Sequence, residues 1–223
     1  MSYLQTIPRG EAPKPDFELL KPHLEAGHQL ILLKPLSEEP LEPLWSDPFE
    51  SSPLTVEGVR DHMAKGGNVG VSIDYGMQVI DVDTRGVPEG ASPIRQLEDS
   101  VGVNLSRGPL VLNGGCGQHF YFKHPTFLHI EDSSPEFPGV KPRRGNGALT
   151  NGSLFIQRSL PEFPALNFRR YMVLASGSVH PITKEHCFCE ILQDNLADAP
   201  LIPRELLVRI IKKPRYSGFY DLL

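Results

Sequence analysis

"MQVIDVDTRG", residues 77–86, alternates in a way that governs how the rest of the chain is read. On an extended strand, side chains at i and i+2 share a face, roughly 6.5–7 Å apart along the chain. Ile80 and Val82 then fall on one face, and Asp81 and Asp83 on the other. Two carboxylates this close repel, and one is driven toward its neutral form unless a cation lies between them. Hard divalent ions such as Mg²⁺ or Mn²⁺ take oxygen ligands and remove that repulsion. An Asp-x-Asp pair also caps loops at strand ends, so the pair alone leaves both readings open.

Outward from this strand, helices and strands announce themselves by their ends. "PDFELLKPHLEAG" predicts a helix over about 15–26, closed by Gly27, and "HQLILLKP" a short buried strand. Residues 35–53 carry too many prolines for regular structure. "TVEGVRDHMAKGG" predicts a helix with Thr55 as N-cap. "NVGVSIDYGMQVIDVD" reads as two strands meeting at a tight turn near 74–76, and "SPIRQLEDSVG" as a helix opening at Ser92 with proline in its first turn. "PLVLNGGCGQHFYFKHP" gives strand, glycine-rich turn, strand. Residues 124–153 read as irregular. "GSLFIQRSL", "LNFRRYMVLASGSVHP" and "HCFCEIL" read as strands, with "IPRELLVRIIKK" as a closing helix. Early helices and later strands point to an α+β or mixed α/β domain.

Composition narrows the class. The 223 residues can bury a sizeable core, and 39% hydrophobic with 22% charged residues is ordinary for a globular protein. No apolar run is long enough to span a membrane, the N-terminus lacks a signal-peptide pattern, and three cysteines do not make a disulfide scaffold, so a cytoplasmic location is expected. A net charge of −5 argues against a generally basic nucleic-acid-binding surface. It leaves room for the local strips "KPRR" at 141–144, "FRR" at 168–170 and "KKPR" at 212–215, each of which also reads as a plain surface turn.

Two further stretches carry chemistry. In "NGGCGQHFYF", Gly114, Gly115 and Gly117 permit close backbone approach and a phosphate-cradling turn. His119 and Tyr121 share one face of the following strand, Phe120 and Phe122 the other. In "LNFRRYMVLASGSVHP", Asn167 and Arg169 share a face, and Ser176, Ser178 and His180 follow in a small-residue turn that could donate to phosphate oxygens. "HCFC" at 186–189 puts only its two cysteines on one strand face, so it reads as structural rather than as a zinc site.

In this order the three stretches resemble the bifunctional primase-polymerase (Prim-Pol) N-terminal domain of the archaeo-eukaryotic primase superfamily. The resemblance runs from "LLKPHLEAGHQLILLKP" to about residue 192 and includes a tryptophan after the early loop, Trp45. "NVGVSIDYGMQVIDVD" is similar to the family's N-x-G-V…V-x-D-x-D strand pair, "GQHFYF" to its G-x-H-x-Y-F turn, and "NFR…YMVLASGSVH" to its third motif. The resemblance implies an α+β fold with an archaeo-eukaryotic primase-like core, an RRM-like mixed sheet with flanking helices. It implies one two-lobed domain over 1–223: a helix–strand lobe to about 67, a motif-bearing core to about 192, and a C-terminal helix and tail.

It also implies template-directed nucleotide addition in the replication of a plasmid, phage or mobile element, with nucleoside triphosphates and a single-stranded or primed DNA template as partners. Asp81 and Asp83 would hold Mg²⁺ or Mn²⁺, with Asn167 at the third catalytic position. His119, Arg169, Ser178, His180 and Gly117 would bind the nucleotide. The chain has no phosphate-binding loop of a motor, so any helicase is expected to be a separate chain.

Departures from the pattern keep a second reading open. Asn167 stands where the family's third motif has an aspartate, Glu39–Pro40 where a basic residue precedes proline, and Gly115–Cys116 where serine is common. An amide still offers an oxygen ligand but one charge fewer. Glu162 and Glu190 are candidate replacements. The alternative is a catalytically degenerate relative that binds nucleotide or single-stranded nucleic acid without turnover.

Overall fold

A computed structural model describes residues 13–42, 54–73, 77–84, 87–106, 108–114, 117–123, 159–160, 163–169, 172–190 and 196–206. Trp45, the turn at 74–76, Gly115–Cys116, most of "GSLFIQRSL", Glu162, the strips at 141–144 and 212–215 and the greater part of the closing helix lie outside these residues, as do residues 124–153.

The chain opens with a 3₁₀ turn, Phe17–Leu20, that passes into a short helix α1, Lys21–Glu25. The sequence suggests one continuous helix here. Pro22 at its second residue lacks an N–H to donate, and the chain enters by the tighter hydrogen-bonding pattern. Helices α2, Val56–Ala64, and α3, Pro93–Val101, begin where their caps dictate: Thr55 accepts from Gly58 N and Ser92 from Arg95 N. Gly102, with φ of 72°, closes α3 in the left-handed conformation.

The strands are β1 Leu30–Pro35, β2 Gly67–Ser72, β3 Met77–Asp83, β4 Leu110–Leu112, β5 Gly117–Lys123, β6 Ser159–Leu160, β7 Phe163–Arg169, β8 Met172–Leu174 and β9 Phe188–Glu190. They form two antiparallel sheets, one ordered β1-β2-β8 and the other β6-β7-β3-β5-β4-β9. The α+β class holds. Two expectations from sequence change. β2 and β3 do not pair with each other but lie in different sheets, and so do β7 and β8, which the sequence reads as one strand. Every residue of β2 is buried, and only the two ends of β3 are not. With both faces covered, neither strand has a solvent face to mark which neighbour it takes.

The larger sheet separates two cores. Ile80, Val82, Phe120 and Phe122 face α3 and pack with Ile94, Leu97, Leu105, Ile202 and Leu206. On the opposite side Val79, Val111 and Tyr121 join the core built by β1, β2, β8, α2 and Leu20. Asp81 and His119 belong by alternation to this second side. Among the described residues no helix is long and apolar enough to cross a membrane.

Candidate functional site

Strand β3 lies between β5 and β7, and the register decides what meets. Asp81 is paired with His119 on one side and with Asn167 on the other. One rung of the sheet therefore carries a residue from each of the three stretches. The next rung pairs Asp83 with Gly117; on the other side of Asp81, Val79 is paired with Tyr121 and Arg169.

Burial falls along this row toward one end. Val79 is fully buried, Asp81 is 4% exposed and Asp83 is half-buried, so the row opens at Asp83. His119 is 1% exposed, with Nε2 3.5 Å from Asp81 Oδ1. Its Nδ1 has no hydrogen-bond partner among the described residues. A buried ring nitrogen in that condition calls for a ligand or an ordered water. Gly117 keeps space open beside the pair. A Cβ there would stand 3.6 Å from Asp81 Oδ1 and 3.0 Å from the Val82 carbonyl oxygen.

The donor chemistry suits one hard divalent ion. Mg²⁺ is commonly held by one or two carboxylates, with water and substrate phosphates completing its shell. Asp81 and Asp83 are that kind of set. Among the described residues no three His, Cys, Asp or Glu side chains converge on a metal-binding point.

The serine turn is built differently from its sequence reading. Ser178 Oγ donates to the Val69 carbonyl at 2.7 Å and accepts from Val69 N at 2.9 Å. Ser176 N donates to His23 Nε2 at 3.1 Å. The Ser178 hydroxyl and the Ser176 amide fasten the turn to the rest of the protein. His180 accepts from Ile182 N and Thr183 N through Nδ1, each at 3.3 Å, which leaves the proton of the neutral ring on Nε2.

The same turn reaches the glycine-rich one. Thr183 Oγ1 donates to the Gly114 carbonyl at 2.5 Å. A Cβ on Gly114, whose φ is 52°, would come within 2.6 Å of His180 Cβ. Glycine is needed there for its φ and for this approach. The second and third stretches are thus joined at their turns as well as through β3, which pairs with a strand of each.

One supporting residue escaped the sequence reading. Asn68 is fully buried and treats Val179 as a strand would: its Oδ1 accepts from Val179 N at 2.9 Å and its Nδ2 donates to Val179 O at 2.8 Å. It fixes the residue before His180. The signal was the N-x-G-V pattern itself, where the asparagine precedes an otherwise apolar strand. Cys187 Sγ donates to Asn113 Oδ1 at 3.1 Å, and His186 Nε2 donates to the Lys14 carbonyl at 2.7 Å.

A family model described as bifunctional DNA primase/polymerase, N-terminal, matches residues 21–201. No curated protein matches the chain. Among solved structures, the AEP domain of the cyanophage S-2L primase-polymerase aligns with 89% of this chain and 100% of its own. The identity is 13% and the TM-score 0.42, a likeness too weak to fix the fold by itself.

Proposed function

The chain belongs to the family of bifunctional DNA primase/polymerase N-terminal domains, whose model spans 21–201 of its 223 residues, and we propose that it is a metal-dependent nucleotidyltransferase acting on a DNA template. The observation that carries this reading is the single rung on which Asn167, Asp81 and His119 are paired, with Asp83 on the same strand and the same face.

In this proposal Asp81 and Asp83 hold one Mg²⁺ or Mn²⁺. When bound, the ion neutralises the two carboxylates and draws charge from the triphosphate. His119 meets the nucleotide through Nδ1, and His180 through the proton on Nε2. Arg169 offsets charge that builds on the phosphates as the reaction proceeds. The bond from a 3′-oxygen to the α-phosphorus forms as the bond to pyrophosphate breaks, and the hydroxyl proton leaves to solvent. Ser178 is omitted from the phosphate contacts because its hydroxyl is engaged with Val69. The chain is taken to work as one two-lobed domain, in the cytoplasm, in copying a plasmid, phage or other mobile element.

Asn167 favours a second reading, a binder of nucleotide or single-stranded DNA without turnover. Loss of the third acid removes one negative charge from the place where an ion would activate the 3′-hydroxyl. Primer extension in Mn²⁺ separates the two. Robust extension by the natural chain, lost at least 100-fold in Asp81→Ala, supports the enzyme. A natural chain that binds a deoxynucleoside triphosphate but extends only after Asn167→Asp supports the binder. Failure to bind either nucleotide or single-stranded DNA, in Mg²⁺ or in Mn²⁺, refutes both.

A further inference from the structure

His23 lies in α1, outside all three stretches, yet it is fully buried. Its Nε2 is 3.1 Å from Ser176 N and 3.2 Å from Ser176 Oγ, and its Nδ1 is 3.1 Å from Nδ1 of His28. A backbone amide can only donate, so His23 Nε2 carries no proton. In the neutral ring the proton then sits on Nδ1 and is donated to His28. His28 Nδ1 accepts it, and the proton of His28 rests on its own Nε2. Both rings must be neutral for this chain to close, since a proton on each facing nitrogen would set two donors together. Burial acts in the same direction, holding His23 well below the usual histidine range and His28 at about 4.

The pair also rests on β5. His28 is stacked on Tyr121 with centroids 5.9 Å apart and planes 13° from parallel, and His23 meets the same ring at 5.9 Å and 57°. Tyr121 is two residues beyond His119 on one face of that strand. One imidazole therefore grips the turn that leads to His180 and leans on the strand that bears His119.

We infer that His23, its tautomer set by the Ser176 amide and matched by His28, is a positioning residue for the nucleotide site, fixing the Ser176–Ser178 turn against β5 and so the separation of His180 from His119. This deepens the nucleotide-binding reading and rests on it. Truncating the contact lets the turn drift while leaving Asp81 and Asp83 in place, so the effect falls on nucleotide affinity rather than on the metal carboxylates.

The test is equilibrium binding of deoxyadenosine triphosphate with Mn²⁺, by calorimetry, on the full chain and two variants. In His23→Gln the amide oxygen reaches the position of Nε2 and can still accept from Ser176 N. In His23→Asn it reaches only the position of Nδ1. Binding weakened about tenfold or more in His23→Asn, with His23→Gln within about threefold of the natural chain, is the expected result. A contribution from bulk alone would make affinity follow the melting temperature in both variants, and that outcome overturns the inference.

A measurement on the unaltered chain guards against variants that fail to fold. Long-range ¹⁵N–¹H correlation should show the His23 proton on Nδ1, the minority tautomer of free histidine; a proton on Nε2 overturns the inference. Absence of nucleotide binding by the unaltered chain overturns the parent reading and this one with it. Equal binding by the natural chain and His23→Asn overturns this one alone.

Discussion

Acid should loosen this protein through His28, and the size of the effect follows from the structure. The ordinary histidine pKa of 6.5 falls to about 4 in the folded chain, because burial penalises the charged ring. A histidine whose folded pKa is depressed takes up its proton in the unfolded chain first. Its contribution to stability is therefore complete above pH 6.5 and is lost as pH falls from 6.5 toward 4. Between 6.5 and 4.5 the two-unit span corresponds to about 2.7 kcal/mol at 1.36 kcal/mol per unit. His28 is half-buried, and solvent screening reduces this to about 2 kcal/mol.

His28→Asn is the reference, since its Oδ1 can replace the acceptor for His23 and does not titrate. Urea denaturation at pH 7.0 and pH 4.5 should show the natural chain losing about 2 kcal/mol more than the variant, a shift of about 1 M in midpoint. Carboxylates titrating in the same range act on both proteins and cancel in the difference. Equal losses in the two proteins would refute the reasoning, and so would a larger loss in His28→Asn.

Other substitutions test the supports of the site. Asn68→Ala removes the donor and acceptor that Val179 uses and should cost about 2–4 kcal/mol in chemical denaturation. Gly177 has φ of 84° and would drive a Cβ into the Asp16 carbonyl, whereas Gly102 has φ of 72° and open space. Gly177→Ala should therefore cost at least about 3 kcal/mol and Gly102→Ala about 1 kcal/mol, read from melting curves. Gly117→Ala places a methyl group beside Asp81 Oδ1, and nucleotide affinity by calorimetry should fall about tenfold or more. Mn²⁺ should raise the melting temperature of the natural chain but not that of Asp81→Asn, because only the natural pair gains from a shared cation.

Local signals in the sequence were read correctly where one residue decides one atom. Thr55 and Ser92 begin helices because their hydroxyls take specific amides, and those preferences need no tertiary context. The alternation of Ile80 and Val82 against Asp81 was equally legible, since a strand has only two faces. Pairing was not. The partners of Asp81 come from β5 and β7, far away along the chain, and alternation alone leaves the register of such strands open. For the same reason "NVGVSIDYGMQVIDVD" gave no sign that its strands part into separate sheets. A hydroxyl in a small-residue turn serves a phosphate or a backbone equally well, and the Val69 that engages Ser178 here is distant in sequence. His23 was missed because nothing in its own helix marks it out. Its burial arises from Ser176 and Tyr121, which no local pattern connects to it.

The central strand carries its own proofreading against misassembly. A slip of one residue between β3 and its neighbours would turn Asp81 and Asp83 into the apolar layer beneath α3 and present Ile80 and Val82 in their place. Two unpaired carboxylates stranded among Leu97, Phe120 and Phe122 would cost far more than any backbone pairing could return. The acids that give this chain its chemistry therefore also forbid the commonest wrong alignment of the sheet. Neutralising both would be expected to yield a protein whose strands settle in more than one frame.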